Sequence, residues 1–274
     1  MRLAWGRAAA AVLAFLILVA LSGCTAQSDL SQAENRVSKT ILVNLPTGLG
    51  ERAKVFAWEA PLGSFSLITS SQERLAKVTL SAPQEFAEAL EQAELSWTVE
   101  DEELRPVITL PGVDLVESEI RVDLEVSAAN SDLPAQVRVR LGAGDAVLRG
   151  YQGRLDLVVE EGTCWLEEAR LAAGSSIRTG GWIRADLVSL EPGRYRLQAG
   201  FGFIEVNLPL DSGAKVEAQT GMGEIINELD FSYLEPVFED TVGKRLTGWL
   251  NAGGSELEIQ CESGDIYLYP RANY

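Results

Sequence analysis

Apolar and polar residues alternate with period two along much of the chain, and the alternation repeatedly changes phase at a glycine. Around Gly202, Tyr195, Leu197 and Ala199 stand seven, five and three positions before it, and Ile204 and Val206 two and four after it. The same frame holds at Gly144 (Val137, Val139, Leu141, Ala146, Leu148), at Gly162 (Leu155, Leu157, Val159, Cys164, Leu166) and at Gly264 (Leu257, Ile259, Cys261, Ile266, Leu268). Far upstream it recurs at Gly63 with Phe56, Trp58, Ala60, Phe65 and Leu67. Gly223 takes Val216, Ala218, Thr220 and Ile225 and then fails at Asn227. Such alternation predicts strands with one buried and one solvated face, and a glycine at each phase change lets the chain turn with positive φ.

Gly144, Gly162, Gly181, Gly202, Gly223, Gly243 and Gly264 are separated by 18, 19, 21, 21, 20 and 21 residues. Two of these are poor members. Gly181 needs a one-residue slip for Ile177 and Ile183 both to point inward, and Tyr233–Leu246 around Gly243 reads as an inserted loop or short helix. A near-constant spacing is the mark of stacked coils, each burying its apolar side on its neighbour. The expectation is an all-β fold, a single-stranded β-solenoid of the β-roll or β-helix kind with rungs of about 20 residues and one short inserted helix. An antiparallel sandwich with tight hairpins would share the alternation but not the spacing.

The helix is expected near residues 82–95. Ser81 and Gln84 have capping-box spacing, and Phe86, Ala89, Leu90 and Ala93 form an apolar stripe, with Glu85, Glu88, Glu91 and Glu94 elsewhere around it. Its role is to cover a sheet edge or the open N-terminal end, the alternative being a partner-binding helix. At the chain start, Arg2 and Arg7 precede an unbroken apolar run from Ala8 to Ala20, closed by Leu21-Ser22-Gly23-Cys24. This layout is a secretory signal, and its end resembles the lipobox of bacterial lipoproteins. That resemblance implies cleavage before Cys24 and acyl chains on its sulfur, with the chain held at the membrane outside the cytoplasm. The organisation is then a signal peptide (1–23), a polar tether (24–38) with ordered structure from about Lys39, an N-terminal β region (39–130) and, continuous with it, the repeat region (131–270).

Ser263-Gly264-Asp265-Ile266, Gly200-Phe-Gly-Phe-Ile-Glu-Val206 and Gly221-Met-Gly-Glu-Ile225 resemble the rungs of the toast-rack, or putative-adhesin, group of bacterial envelope proteins, where a Gly-Asp-Ile step is common. Val43-Asn-Leu-Pro46, Ala53–Ala57 and Leu62–Leu67 are similar to the segment that opens its members. The resemblance implies a β-solenoid in the cell envelope without enzymatic activity. The inserted helix, and the Gly-Asp step missing from several rungs, depart from the pattern.

Composition narrows the chemistry. Lys and Arg number 23 against 40 Asp and Glu, giving a net charge of −17, and there is no histidine. Nucleic-acid binding is thereby disfavoured, and His-dependent nucleophilic or metal chemistry is excluded. Glu100-Asp101-Glu102-Glu103 reads as a solvated loop rather than a cation site, for it lacks alternating ligands and a glycine turn. No cofactor, metal ligand or catalytic residue is called for. In the repeat register Asp145, Glu205, Glu224, Glu258 and Asp265 point outward, so that face should repel anionic polymers. Cys164 and Cys261 fall five rungs apart, roughly 24 Å at the strand spacing, so two buried free thiols are expected rather than a bridge.

Trp182, Phe203, Tyr267 and Tyr269 also point outward and are the candidate binding residues, although exposed aromatics on strands are unremarkable in themselves. The functional expectation is a lipid-anchored, non-enzymatic, adhesin-like binding or scaffold module. Its partners would be the membrane, through Cys24, and another envelope protein or polymer. The alternatives are a polysaccharide-active β-helix enzyme and a tethered carrier of hydrophobic ligands, the latter opposed by the small inward residues Ala199, Ala218 and Thr220.

Overall fold

The computed structural model describes residues 36–46, 52–69, 74–115, 119–235, 238–240, 243–251 and 253–271. The signal peptide, Cys24 and the tether up to residue 35 lie outside them. Strands make up most of the described chain: β1 (Arg36–Asn44), β2 (Val55–Leu62), β3 (Phe65–Ile68), β4 (Leu75–Pro83), β5 (Glu94–Glu100), β6 (Glu103–Thr109), β7 (Arg121–Ser127), β8 (Gln136–Arg149) and β9 (Gln152–Leu171). These are followed by β10 (Ser176–Thr179), β11 (Ile183–Leu190), β12 (Gly193–Leu208), β13 (Ala214–Met222), β14 (Ile225–Asn227), β15 (Tyr233–Leu234), β16 (Phe238–Asp240), β17 (Gly243–Leu250) and β18 (Ser255–Pro270). The fold is all-β.

Long strands such as β8, β9, β12 and β18 run through the phase-changing glycine and so belong to two walls. Their first halves join β5, β6, β2, β10, β13 and β17 in wall A; their second halves join β1, β4, β7, β3, β11 and β14 in wall B. The middle of each wall is a parallel ladder in register, Gly144 opposite Gly162 and Gly202 opposite Gly264. Antiparallel strands close both ends: β1, β4 and the β5–β6 hairpin at one, β17 with β15 and β16 at the other.

The inward positions read from the sequence are buried in one shared core, except Ile225, which is half-buried against it. In the Gly162 rung Leu155, Leu157, Cys164 and Leu166 have no exposure and Val159 has 1%; each fully buried aliphatic side chain contributes about 1.5–3 kcal/mol. Gly162 shows why the corner residue is glycine. Its φ is +143°, and a Cβ there would sit 1.7 Å from the carbonyl oxygen of Gly144 in the next rung. The slip at Gly181 is present, since Thr179 pairs with Val159 and Ile183 with Cys164, one residue fewer on the later rung.

Three expectations are corrected. The rungs do not stack in chain order, because β18 lies between β12 and β13, so the Gly264 rung precedes the Gly223 rung. Cys164 and Cys261 are thus three steps apart rather than five, roughly 14 Å by strand spacing. Both are buried free thiols, with burial pushing the Cys164 thiol well above its ordinary range. The segment around Gly243 is not a loop or short helix but strand β17, antiparallel to β13, with β15 and β16 on its outer edge. The inserted helix is a 3-10 turn at Gln84–Phe86 followed by α1 (Ala87–Glu91), and the capping box does not form: Pro83 is the N-terminal flanking residue and no side chain caps the turn. Leu90 and Ala93 are buried, and α1 lies against β1 and β4 at the N-terminal end. Lys39 Nζ donates to the carbonyls of Glu91 (2.7 Å) and Ala93 (2.9 Å), a cation at the negative end of the helix.

Candidate functional site

The outward faces of the two walls differ in chemistry. On wall A charges alternate between neighbouring strands: Arg140 pairs with Asp156 (3.2 Å), Arg178 with Glu160 (2.9 Å), Arg194 with Glu256 (2.8 Å) and Arg196 with Glu258 (2.9 Å), while Lys215 pairs with Glu217 along β13. Such exposed pairs are worth about 0–1 kcal/mol each; their main effect is to keep this face locally neutral and solvated.

Wall B carries the four candidate aromatics, and the structure brings them into one contiguous stripe. The rings of Trp182 and Phe203 stack at 5.4 Å with 2° between planes. Phe203 meets Tyr267 edge-on at 6.2 Å, and Tyr267 stacks on Tyr269 at 6.1 Å. Tyr267 donates its hydroxyl to Asp265 (3.1 Å), and that hydrogen bond raises the phenol above its usual pKa. Because Trp182 and Phe203 are cross-strand neighbours separated by little more than the strand spacing, their planes stack along the ladder and turn their edges to solvent.

Residues not singled out from the sequence extend the stripe. Trp165 is flanked by the guanidinium groups of Arg149 and Arg184, each 5.9 Å from its ring centre. Both arginines are held in turn, Arg149 by Glu167 (2.8 Å) and Arg184 by Glu205 (3.0 Å). Trp165 sits three residues after Gly162, an outward position in the same register that singled out Trp182 and Phe203, so the signal was present. Outside the stripe, where wall A meets the corner, Phe201 is 68% exposed and Met222 61% exposed. Alternation assigns both to the inward phase, and only the bend at the glycine turns them out.

The outward acids are not the uniform repelling face that the sequence suggested. Glu258 and Glu205 pair with Arg196 and Arg184, and Glu224 with Lys244. Asp145 accepts hydrogen bonds from the Thr163 backbone N–H (3.2 Å) and hydroxyl (2.6 Å), and Asp265 from the Glu224 N–H (2.8 Å). The acid after the corner glycine thus binds the amide of the adjacent rung where the ladder is interrupted, which gives the Gly-Asp step a structural role.

No family model matches the chain, and no curated protein matches it. Among solved structures it is similar to a protein described as a putative cell adhesion protein from Clostridium sporogenes ATCC 15579, with 14% identity, coverage of 85% of this chain and 100% of that one, and a TM-score of 0.43. It is also similar to a putative adhesin from Bacteroides fragilis NCTC 9343 (6% identity, 86% and 98% coverage, TM-score 0.29). A third is a putative lipid binding protein from Parabacteroides distasonis ATCC 8503 (11% identity, 86% and 95% coverage, TM-score 0.27). Likeness at these scores transfers neither fold nor function.

Proposed function

We propose that the chain is a non-enzymatic, adhesin-like binding module of the extracytoplasmic envelope, anchored by acyl chains on Cys24, whose parallel ladder is a β-solenoid with strands exchanged at its C-terminal end. The observation that carries the binding reading is the asymmetry between the walls. Wall A spends its charges on neighbours and carries, among the described residues, a single outward aromatic pair, Tyr233 with Trp249 under Lys215 at its C-terminal end, whereas wall B gathers Trp165, Trp182, Phe203, Tyr267 and Tyr269 with Arg149 and Arg184 on one face. Trp, Tyr and Arg are the residues that dominate protein interfaces, being large, rigid and able to hydrogen-bond at one end. Edge-on rings suit burial against another protein better than the stacking of sugar faces, so another envelope protein is the partner this stripe fits.

The test is fractionation of cells expressing the full chain, followed by crosslinking in intact envelopes. Trp182→Ala/Tyr267→Ala is expected to lower recovery of the crosslinked complex by more than about tenfold, since a single interface hot spot already costs about 2 kcal/mol and each tenfold about 1.4 kcal/mol, while leaving the protein folded and in the membrane pellet. Cys24→Ala should move the chain to the soluble fraction. Unchanged crosslinking in the double variant refutes the stripe as the contact surface, and unchanged pelleting of Cys24→Ala refutes the anchor.

A further inference from the structure

A cleft lies on wall A, around the corner from the aromatic stripe. It spans about 510 Å³ over the first halves of β9, β12 and β18 and over β10, within the range of small-molecule sites, about 300–1,000 Å³. Its origin is local. Gly180 and Gly200 stand where neighbouring rungs carry side chains, and a Cβ on Gly180 would fall 2.0 Å from the Glu160 carbonyl oxygen, so the backbone runs close and the surface is left notched.

The lining has a definite chemistry. Three of the lining residues, Arg178, Gln198 and Gln260, stand opposite one another on successive strands, and the row continues past the cleft with Gln219 and Arg245, planar hydrogen-bonding groups at the strand spacing of about 4.8 Å. The amide of Gln198 donates to Gln260 (2.8 Å), and that of Gln260 to Glu258 (2.6 Å), which fixes two planes side by side. The Gln198 carbonyl oxygen remains free to accept, and so does the exposed carboxylate of Glu262, which has no cation within ion-pair distance among the described residues. At one wall stands Phe201, whose ring stacks on no other described ring and is the most exposed large apolar side chain in the described chain.

We propose that this notch binds an uncharged saccharide. Vicinal sugar hydroxyls each offer a donor and an acceptor at fixed separation, which a row of amide and carboxylate groups can meet in pairs. The C–H face of a pyranose ring is apolar and packs on an open aromatic face of the kind Phe201 presents. Arg178 is already neutralised by Glu160, so Glu262 leaves the cleft net negative and disfavours uronic or sulfated sugars. This deepens the binding-module reading by naming a ligand class, but it uses a different surface from the stripe, so either can fail without the other.

Calorimetric titration of the purified full chain with cellotetraose, chitotetraose and mannotetraose, and with tetragalacturonate as the acidic counterpart, tests it. At least one uncharged tetrasaccharide is expected to bind and tetragalacturonate not to. Phe201→Ala and Gln198→Ala should each weaken binding about tenfold; thermal unfolding should be unchanged for the exposed Phe201 and shift only by the loss of one half-buried hydrogen bond for Gln198. Trp182→Ala should bind as the parent does. Absence of binding to all three uncharged probes overturns the proposal. So does binding indifferent to Phe201→Ala and Gln198→Ala, preference for tetragalacturonate, or loss of binding with Trp182→Ala alone.

Discussion

Glu103 holds two guanidinium groups, those of Arg105 and Arg138. The hydrogen bond from Arg105 first, and that from Arg138 second, lower its carboxyl below the ordinary value of 4.5. A carboxylate depressed in the folded state adds stability that is present above its unfolded pKa and lost as pH falls through its folded pKa. Glu103→Gln should therefore be less stable than the parent at pH 7, and the gap should narrow as pH drops below about 4.5; urea titrations between pH 7 and pH 3 measure it. A gap that does not vary with pH would assign Glu103 a packing role instead. The four-acid run containing Glu103 was legible as a solvated loop, but neither as a hairpin turn nor as a site of pairing. Asp101 and Glu102 sit at φ 50° and 64°, the two central residues of a tight hairpin between β5 and β6. Arg138 lies 35 positions away, and nothing local announces that contact.

At the scale of an element, the rung was the most readable unit because its signal is local: five apolar positions on a fixed frame around one glycine. The frame makes a sharp demand on the corner. Gly162→Ala must hold φ near +143° with a Cβ 1.7 Å from a neighbouring carbonyl, so the rung has to shift. A loss of roughly 3 kcal/mol is expected from the midpoint of urea unfolding, whereas Gly112→Ala, at φ +72° but with open space around its Cβ position, should cost only the backbone part, about 1 kcal/mol. Equal losses at the two positions would remove the corner argument. Elements whose partners are distant were less readable. The capping box fails because Ser81 is paired in β4 opposite Arg121 of β7, so a tertiary ladder outcompetes a local cap. Strand β17 escaped because Leu246, Thr247 and Gly248 are buried in succession, the last under the ring of Phe231, which erases the period-two signal.

The whole molecule differs from a simple coil in the placement of its last strand. Adjacent repeats in the sequence give no hint that β18 slots between β12 and β13, since every rung carries the same pattern and any two can stack. The prediction belongs to this scale. Deleting Ser255–Tyr274 takes away a rung flanked on both sides, so β13 and β17 lose their attachment to the ladder. Limited proteolysis should then cut throughout 209–254 while 136–190 stays protected. In a ladder stacked in chain order, only the exposed end would fray, and continued protection of 214–250 would establish that order instead. The four candidate aromatics came together for the same reason: Phe203 and Tyr267, 64 residues apart in sequence, lie on adjacent strands only because β18 skips a place.

That skipped place also sets a timetable. A polypeptide emerging N-terminus first from a ribosome or a translocation channel can assemble β2 through β12 as it appears, but β13 to β17 must wait for a neighbour not yet made. Non-local pairing of this kind is slow and leaves strand edges open meanwhile. Strand β18 thus acts as a key made after its lock, and only a chain that includes it can close the part from β13 to β17.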